Sequence, residues 1–179
     1  AGEQVFSLIG STSAPDKFAF FPQPERPVPP LMAYASTQSV TVNGAPVEFQ
    51  MYALKDENGN PTNYVKVRDV AYILNGTASQ FEVGYYSNMV HLVKGWTYTS
   101  NGSEMRTPFS GDRTCVKSQA QTDVNGTLMD LDAIVLYDDA GGGYTYYKLR
   151  DLGAALGFVV DWIPGTGIVV ETPEYSGKI

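Results

Sequence analysis

The order of apolar and polar residues along this chain changes period in the same way twice. Residues 47–55 and 128–137 read as strands, since successive strand residues face opposite sides. Each run follows an Asn-Gly pair, Asn43-Gly44 or Asn125-Gly126, whose preference for positive φ predicts a type I′ hairpin turn. Each ends in a polar, glycine-containing loop, residues 56–60 or 138–143. A third strand is predicted next, with Tyr64, Lys66 and Arg68 on one face and Val65 and Val67 on the other. The period then lengthens to about 3.6. Val67, Val70, Ala71 and Leu74 lie at i, i+3, i+4 and i+7, as do Leu149, Leu152, Gly153 and Leu156. That spacing predicts a short helix with one apolar face in each unit. Asp69 and Asp151 fall in the first turns, where the helix dipole favours a carboxylate. Gly157, and the pair Asn75-Gly76, are placed to stop the helices through a left-handed cap. Two strands close each unit, residues 81–86 and 89–93 in one, 158–162 and 168–171 in the other.

The two stretches are copies of one another. Val42-Asn43-Gly44 returns as Val124-Asn125-Gly126, and Tyr64-Val65-Lys66-Val67-Arg68-Asp69 returns as Tyr146-Tyr147-Lys148-Leu149-Arg150-Asp151. Asn43 to Asn125 and Arg68 to Arg150 are both separations of 82 positions. Leu54, Asp56 and Gly59 align with Leu136, Asp138 and Gly141 in the same register. After the helix the separation falls to 77, with Phe81 matching Phe158 and Tyr85 matching Trp162. The first copy therefore carries five more residues, around Asn75-Gly76-Thr77.

Residues 1–37 have neither period. Pro15, Pro22, Pro24, Pro27, Pro29 and Pro30 remove backbone donors there and favour extended chain, beside Phe18, Phe20 and Phe21. This stretch reads as an arm whose phenylalanines dock on the adjoining domain, or as a recognition segment for a partner. The expected fold is α+β: two copies of a small antiparallel β-sheet, each wrapped on one short helix, preceded by a Pro-rich extended arm. The divisions are 1–37 for the arm, 38–104 for the first repeat, 105–119 for a connector and 120–179 for the second repeat. A module of about 60 residues is marginal alone, so the copies are expected to pack on each other or on the arm. Leu74→Asp and Leu156→Asp should each collapse their own copy.

Composition narrows the function. The 179 residues hold 12 Lys or Arg against 19 Asp or Glu, a net charge of −7, which repels nucleic acid and anionic lipid. No apolar run approaches the length of a membrane span. A single cysteine, Cys115, excludes an intramolecular disulfide, and one histidine, His91, excludes a multi-histidine copper site. Neither lies in a local motif of nucleophilic catalysis. Asp130 with Asp132, and Asp138 with Asp139, are the nearest carboxylate pairs; strand and turn positions explain them better than glycoside hydrolysis. The loop at residues 56–60 lacks the ligand spacing of a calcium loop. Gly141-Gly142-Gly143 lacks the Lys-Ser/Thr of a phosphate loop. No catalytic residue, metal ligand or cofactor is expected.

Two features remain. Lys66, Arg68 and Asp69 recur as Lys148, Arg150 and Asp151, which suits a structural motif at the strand–helix junction better than an anion site. Twelve Tyr and two Trp offer flat faces that stack on sugar rings. Of these, Tyr85 and Trp162 read as core fillers, whereas Trp96, Tyr98, Tyr86 and Tyr175 are the candidate ligand contacts.

The string from Tyr146 through Lys148-Leu149-Arg150-Asp151-Leu152-Gly153 to Phe158, with Val160-Asp161-Trp162 and Ile168-Val169-Val170 after it, resembles the copper amine oxidase N-terminal-like, or stalk, domain of Gram-positive surface proteins. The first copy is similar through Val42-Asn43-Gly44, residues 63–71 and residues 80–85. The resemblance covers about residues 38–104 and 120–176 and leaves the arm unexplained. It implies a twisted antiparallel sheet around one helix and an extracellular or cell-surface location, a signal peptide having been removed before Ala1. It does not imply amine oxidation, whose copper and quinone belong to a separate domain. The expected function is a non-catalytic exported module for cell-wall attachment, spacing or adhesion. Its partners would be a cell-wall polymer, a glycan or another surface protein. The alternative is a carbohydrate-binding protein that recognises wall or host glycan through exposed aromatics.

Overall fold

The computed structural model describes residues 31–176, so the Pro-rich arm lies outside the described residues apart from residues 31–37. The fold corrects the α+β expectation. Strands hold 46% of the described residues and helices 13%, and the strands do not form one sheet per helix. Six build a closed barrel, in the order β1 (Leu31–Ala35), β4 (Met51–Lys55), β5 (Pro61–Lys66), β12 (Gly143–Lys148), β11 (Ala133–Tyr137) and β8 (Arg113–Lys117). Eight others form two flanking sheets. One is ordered β10 (Thr127–Met129), β9 (Gln121–Val124), β7 (Met89–Lys94), β6 (Phe81–Tyr86); the other is β13 (Val159–Ile163), β14 (Gly167–Glu171), β2 (Val40–Val42), β3 (Ala45–Val47). Two eight-residue helices, α1 (Val67–Leu74) and α2 (Leu149–Leu156), and a short α3 (Pro173–Ser176) complete it.

Both flanking sheets are built from both copies. The first copy's β2 runs parallel to β14 of the second, with Val40 opposite Ile168 and Val42 opposite Val170. Reciprocally, β9 of the second runs parallel to β7 of the first, with Thr122 opposite Val90 and Val124 opposite Leu92. The Asn-Gly turns make this exchange specific. Asn43 and Gly44 have φ of 49° and 82°, and Asn125 and Gly126 have 54° and 87°, as a type I′ turn requires. Each asparagine then reaches the other copy. Asn43 donates to Thr172 Oγ1 and accepts from the Thr172 N–H, both at 2.9 Å, while Asn125 accepts from the Lys94 N–H at 2.8 Å.

The barrel seams keep the 82-residue offset. Tyr64 pairs with Lys148, Val65 with Tyr147 and Lys66 with Tyr146, so a pseudo-two-fold axis passes through the Val65–Tyr147 pair. Where β1 closes on β8, Met32 lies opposite Thr114, flanked by Leu31–Cys115 and Ala33–Arg113, and the same axis emerges. These two strands lie in stretches that read from sequence as arm and connector. Strands 47–55 and 128–137, expected to be continuous, are each broken. Residues 48–50 and 130–132 carry the chain from a flanking sheet into the barrel. Gln50 and Asp132, 82 positions apart, fix these breaks by accepting from the hydroxyls of Tyr146 (3.1 Å) and Tyr64 (2.6 Å) of the opposite copy.

The barrel separates two cores. Tyr52, Tyr64, Tyr146, Ile134, Leu136 and Cys115 fill its interior, with Phe109 of the connector packed edge-on against Tyr144 at 5.6 Å. The larger core lies outside the barrel, under the helices, and takes Leu74, Phe81 and Leu92 from one copy with Leu152, Leu156 and Val170 from the other. Tyr64 and Tyr146 face the first core and Val65 and Tyr147 the second, so β5 and β12 are buried on both sides. The expectation that one face of this strand presents Tyr64, Lys66 and Arg68 together fails for that reason, and because α1 already begins at Val67. Where the first copy has Val40 and Val65, the second has Thr122 and Tyr147, whose hydroxyls bond each other at 2.7 Å. The hydroxyl pair satisfies polar atoms that would otherwise be costly to bury.

The apolar faces predicted for the helices are buried in both copies. Gly157 caps α2 with φ of 89° and donates to Gly153 O. Asn75, by contrast, is extended; its side chain accepts from the Tyr98 N–H, and the left-handed residue is Gly76.

Candidate functional site

A strand of five or six residues, as β13 and β6 are, spans about 17–20 Å, whereas an eight-residue helix covers about 12 Å. The strand after each helix therefore overhangs it. Along β6, Phe81 and Val83 are buried beneath α1, but Tyr85, on the same face, lies beyond its edge and is 59% exposed. Trp162 of β13 is 54% exposed for the same reason. The sequence places both in the core; instead each borders a cleft.

The larger cleft, 680 Å³, is bounded by Lys148 and Arg150 at the start of α2, by Trp162 of β13 and by Asn60 and Asn63 around the start of β5. The smaller, 340 Å³, is bounded by Lys66 and Arg68 at the start of α1, by Tyr85 and by Gly143 and Tyr144 of β12. Lys66 and Arg68 lie 82 positions before Lys148 and Arg150, and Tyr85 lies 77 before Trp162. Each cleft thus takes its basic pair and aromatic ring from one copy and its facing wall from the other.

Their electrostatics differ. In the Trp162 cleft the indole is held by a hydrogen bond from Nε1 to Gln38 Oε1 (3.1 Å), which leaves its ring face free. Arg150 is exposed and donates to the Val160 carbonyl through one nitrogen, so its other donors stay available. In the Tyr85 cleft Lys66 is buried, donates to the Arg106 carbonyl at 2.7 Å and pairs with Asp69 at 3.6 Å. Arg68 donates to the Tyr98 hydroxyl at 3.3 Å. Burial pushes the Asp69 carboxyl up, partly offset by the Met105 N–H and the Lys66 ammonium. Asp151 likewise accepts a backbone N–H, from Asp132 at 3.0 Å. In the first copy the motif's lysine and aspartate are thus paired with each other, although Asp69 Oδ2 is buried without a hydrogen-bond partner, while in the second the exposed Arg150 faces its cleft with donors to spare.

The four aromatics expected to touch ligand do not converge. Tyr98 is buried; its hydroxyl donates to Glu104, and burial with that bond pushes it up to about 12. Its place after the last strand suggests exposure, but it packs into the outer core. Tyr86, 61% exposed, stacks on His91 at 3.6 Å between ring centroids. Tyr175 belongs to α3, in the other half, with its ring over Gly44. Trp96 is exposed but borders neither cleft. Sequence reasoning misses Trp162, Tyr85, Gln38, Asn60 and Asn63. The short helix beside each overhanging strand is the available signal.

The groups considered for chemistry are engaged elsewhere. Cys115 is enclosed in the barrel, and burial pushes its thiol up, away from the reactive thiolate. His91 lies in a flanking sheet, paired with Asp123 at 2.5 Å. Asp132 accepts from Lys117 at 2.7 Å, and Asp139 from Arg113 at 2.8 Å. Asp56 and Asp138 each accept two backbone N–H groups of their own loops, which holds both carboxyls low. Among the described residues no helix is long and apolar enough to cross a membrane.

Glu104 ties down the loop beside the smaller cleft. Burial alone would raise its carboxyl, but hydrogen bonds from Tyr98, Asn101 and Ser100 outweigh it and hold it at about 2. A carboxyl lowered from 4.5 in this way stabilises the fold above pH 4.5, and the contribution fades as pH falls toward 2. Glu104→Gln should therefore flatten the acid limb of stability against pH, measured by urea melts between pH 2 and 5; an unchanged limb would contradict the assignment. Compared with protein families, curated proteins and solved structures, the chain matches none.

Proposed function

We propose that this chain is a non-catalytic, exported module that attaches to the cell wall by gripping a glycan, with the Trp162 cleft as its binding site. The observation that carries this reading is the free indole face of Trp162, fixed by Gln38 at the edge of a 680 Å³ cleft with Arg150, Lys148 and Asn60 around it. A fixed aromatic plane covers the apolar face of a pyranose, and amide and basic side chains answer its hydroxyl and acidic substituents. Lys148 and Arg150 against Asp161 leave the cleft with a local positive excess on a chain of net charge −7. An acidic sugar, such as one bearing a lactyl carboxylate or a phosphate, fits that balance. The resemblance to stalk domains of surface proteins supports the exported setting.

Soluble peptide-free disaccharide fragments of peptidoglycan, in which the lactyl carboxylate is free, are titrated calorimetrically to test the site. Trp162→Ala should lose about 2 kcal/mol, roughly 30-fold in affinity. Arg150→Gln should weaken fragments carrying the carboxylate and spare those in which it is reduced to the alcohol. Binding that survives Trp162→Ala but disappears in Trp96→Ala would move the site off the cleft and end this assignment.

A further inference from the structure

We infer that the chain is bivalent, the Tyr85 cleft being a second saccharide site. This rests on the glycan reading of the Trp162 cleft but goes beyond it, because one occupied cleft would suffice for attachment. The pseudo-two-fold axis is the physical basis. Passing through Val65 and Tyr147, it carries α1 onto α2, and β12 onto β5, so the backbone frame that flanks Trp162 recurs at Tyr85, with Gly142 and Thr145 where the larger cleft has Asn60 and Asn63. The Tyr85 ring is as open as the indole, and its hydroxyl donates to Asn88 at 2.9 Å, which holds the ring in place as Gln38 holds Trp162. Asn101 and Ser103 border this cleft and supply the polar groups that Asn60 and Asn63 supply in the other.

The sites differ in what they select. Lys66 is paired with Asp69, and the Arg68 guanidinium acts on the Glu82 carboxylate and donates to Tyr98, so carboxylates of the same copy already offset both cations of the smaller cleft. Its ligand is a neutral sugar, held by one smaller ring and therefore more weakly. A wall polymer that alternates neutral and acidic sugars presents both ligands, and two tethered sites gain avidity that neither has alone.

Equilibrium dialysis of the soluble peptide-free disaccharide, with sedimentation on intact sacculi, tests the proposal. The parent should bind two equivalents at saturation, Tyr85→Ala and Trp162→Ala one each, and the double variant none. On sacculi, Tyr85→Ala should weaken apparent affinity by roughly 10²-fold or more through lost avidity. Both side chains are exposed, so circular dichroism should match the parent in every variant. One equivalent in the parent, abolished by Trp162→Ala and untouched by Tyr85→Ala, would overturn bivalence and leave the glycan reading intact. No binding by the parent to fragments or sacculi would remove both.

Discussion

Leu156→Asp is expected to unfold both halves of the chain together, including strands that lie more than sixty residues away in sequence. Leu156 is 3% exposed and belongs to one apolar cluster that also contains Leu74, Phe81 and Leu92 of the first copy. A carboxylate there has no described partner, and burying an unpaired charge costs upward of about 4 kcal/mol. That is a large share of the roughly 5–15 kcal/mol that holds a domain folded. If each copy had its own core, the first would survive. Here β2 pairs with β14 on one side and β7 with β9, so loss of either half strips two strands from each flanking sheet. Hydrogen exchange read by mass spectrometry checks this. Amides of β6 and β7 should exchange as fast as those of α2 in the variant. Continued protection of β6 and β7 would show two independent cores and contradict the interlocked arrangement.

Gly153→Ala should destabilise the protein, against its local propensity. In an exposed helix this change adds about 1 kcal/mol of stability. At Gly153, however, a Cβ would sit 2.7 Å from the Phe158 carbonyl oxygen and 3.1 Å from Val160 Cγ2. Backbone cannot yield as a flexible side chain can, so the overpacking cost of about 1–3 kcal/mol outweighs the propensity gain. The equivalent position in the first copy is Ala71, fully buried without penalty. The difference is the five additional residues after α1. They let the chain swing wide before β6, whereas only two residues separate α2 from β13, and Phe158 and Val160 are held close against the helix. Urea melts of Gly153→Ala should show a lower midpoint than the parent, and a raised midpoint would refute the close approach. Conservative replacement fails at this position because of its neighbour in space, not its neighbours in sequence.

Short-range features are readable from the residues. The Asn-Gly turns adopt the positive φ angles their composition favours, and both helices bury the face that the i, i+3, i+4, i+7 spacing marks. The closing hairpins fall within a residue or two of their expected bounds. Each depends on interactions within about a dozen residues, where periodicity and turn chemistry act directly. The candidate site is much less legible. Alternation puts Tyr85 and Trp162 on the buried face, and only the finite length of the adjacent helix leaves them open. Position after the last strand marks Tyr98 as exposed, yet Arg68 and Glu104 draw its hydroxyl inward.

By itself the amino-acid order determined that one unit is written twice, 82 residues apart, with the same turns, strands and helix each time. Which copy supplies the neighbouring strand was decided only in three dimensions. Local patterning is satisfied equally whether β2 lies beside β7 of its own copy or β14 of the other, because both offer the same alternating apolar face. The short links at residues 48–50 and 130–132, and the closure of Met32 against Thr114, select the exchanged pairing and close the barrel. The clefts exist as a consequence, since each needs a wall from either copy.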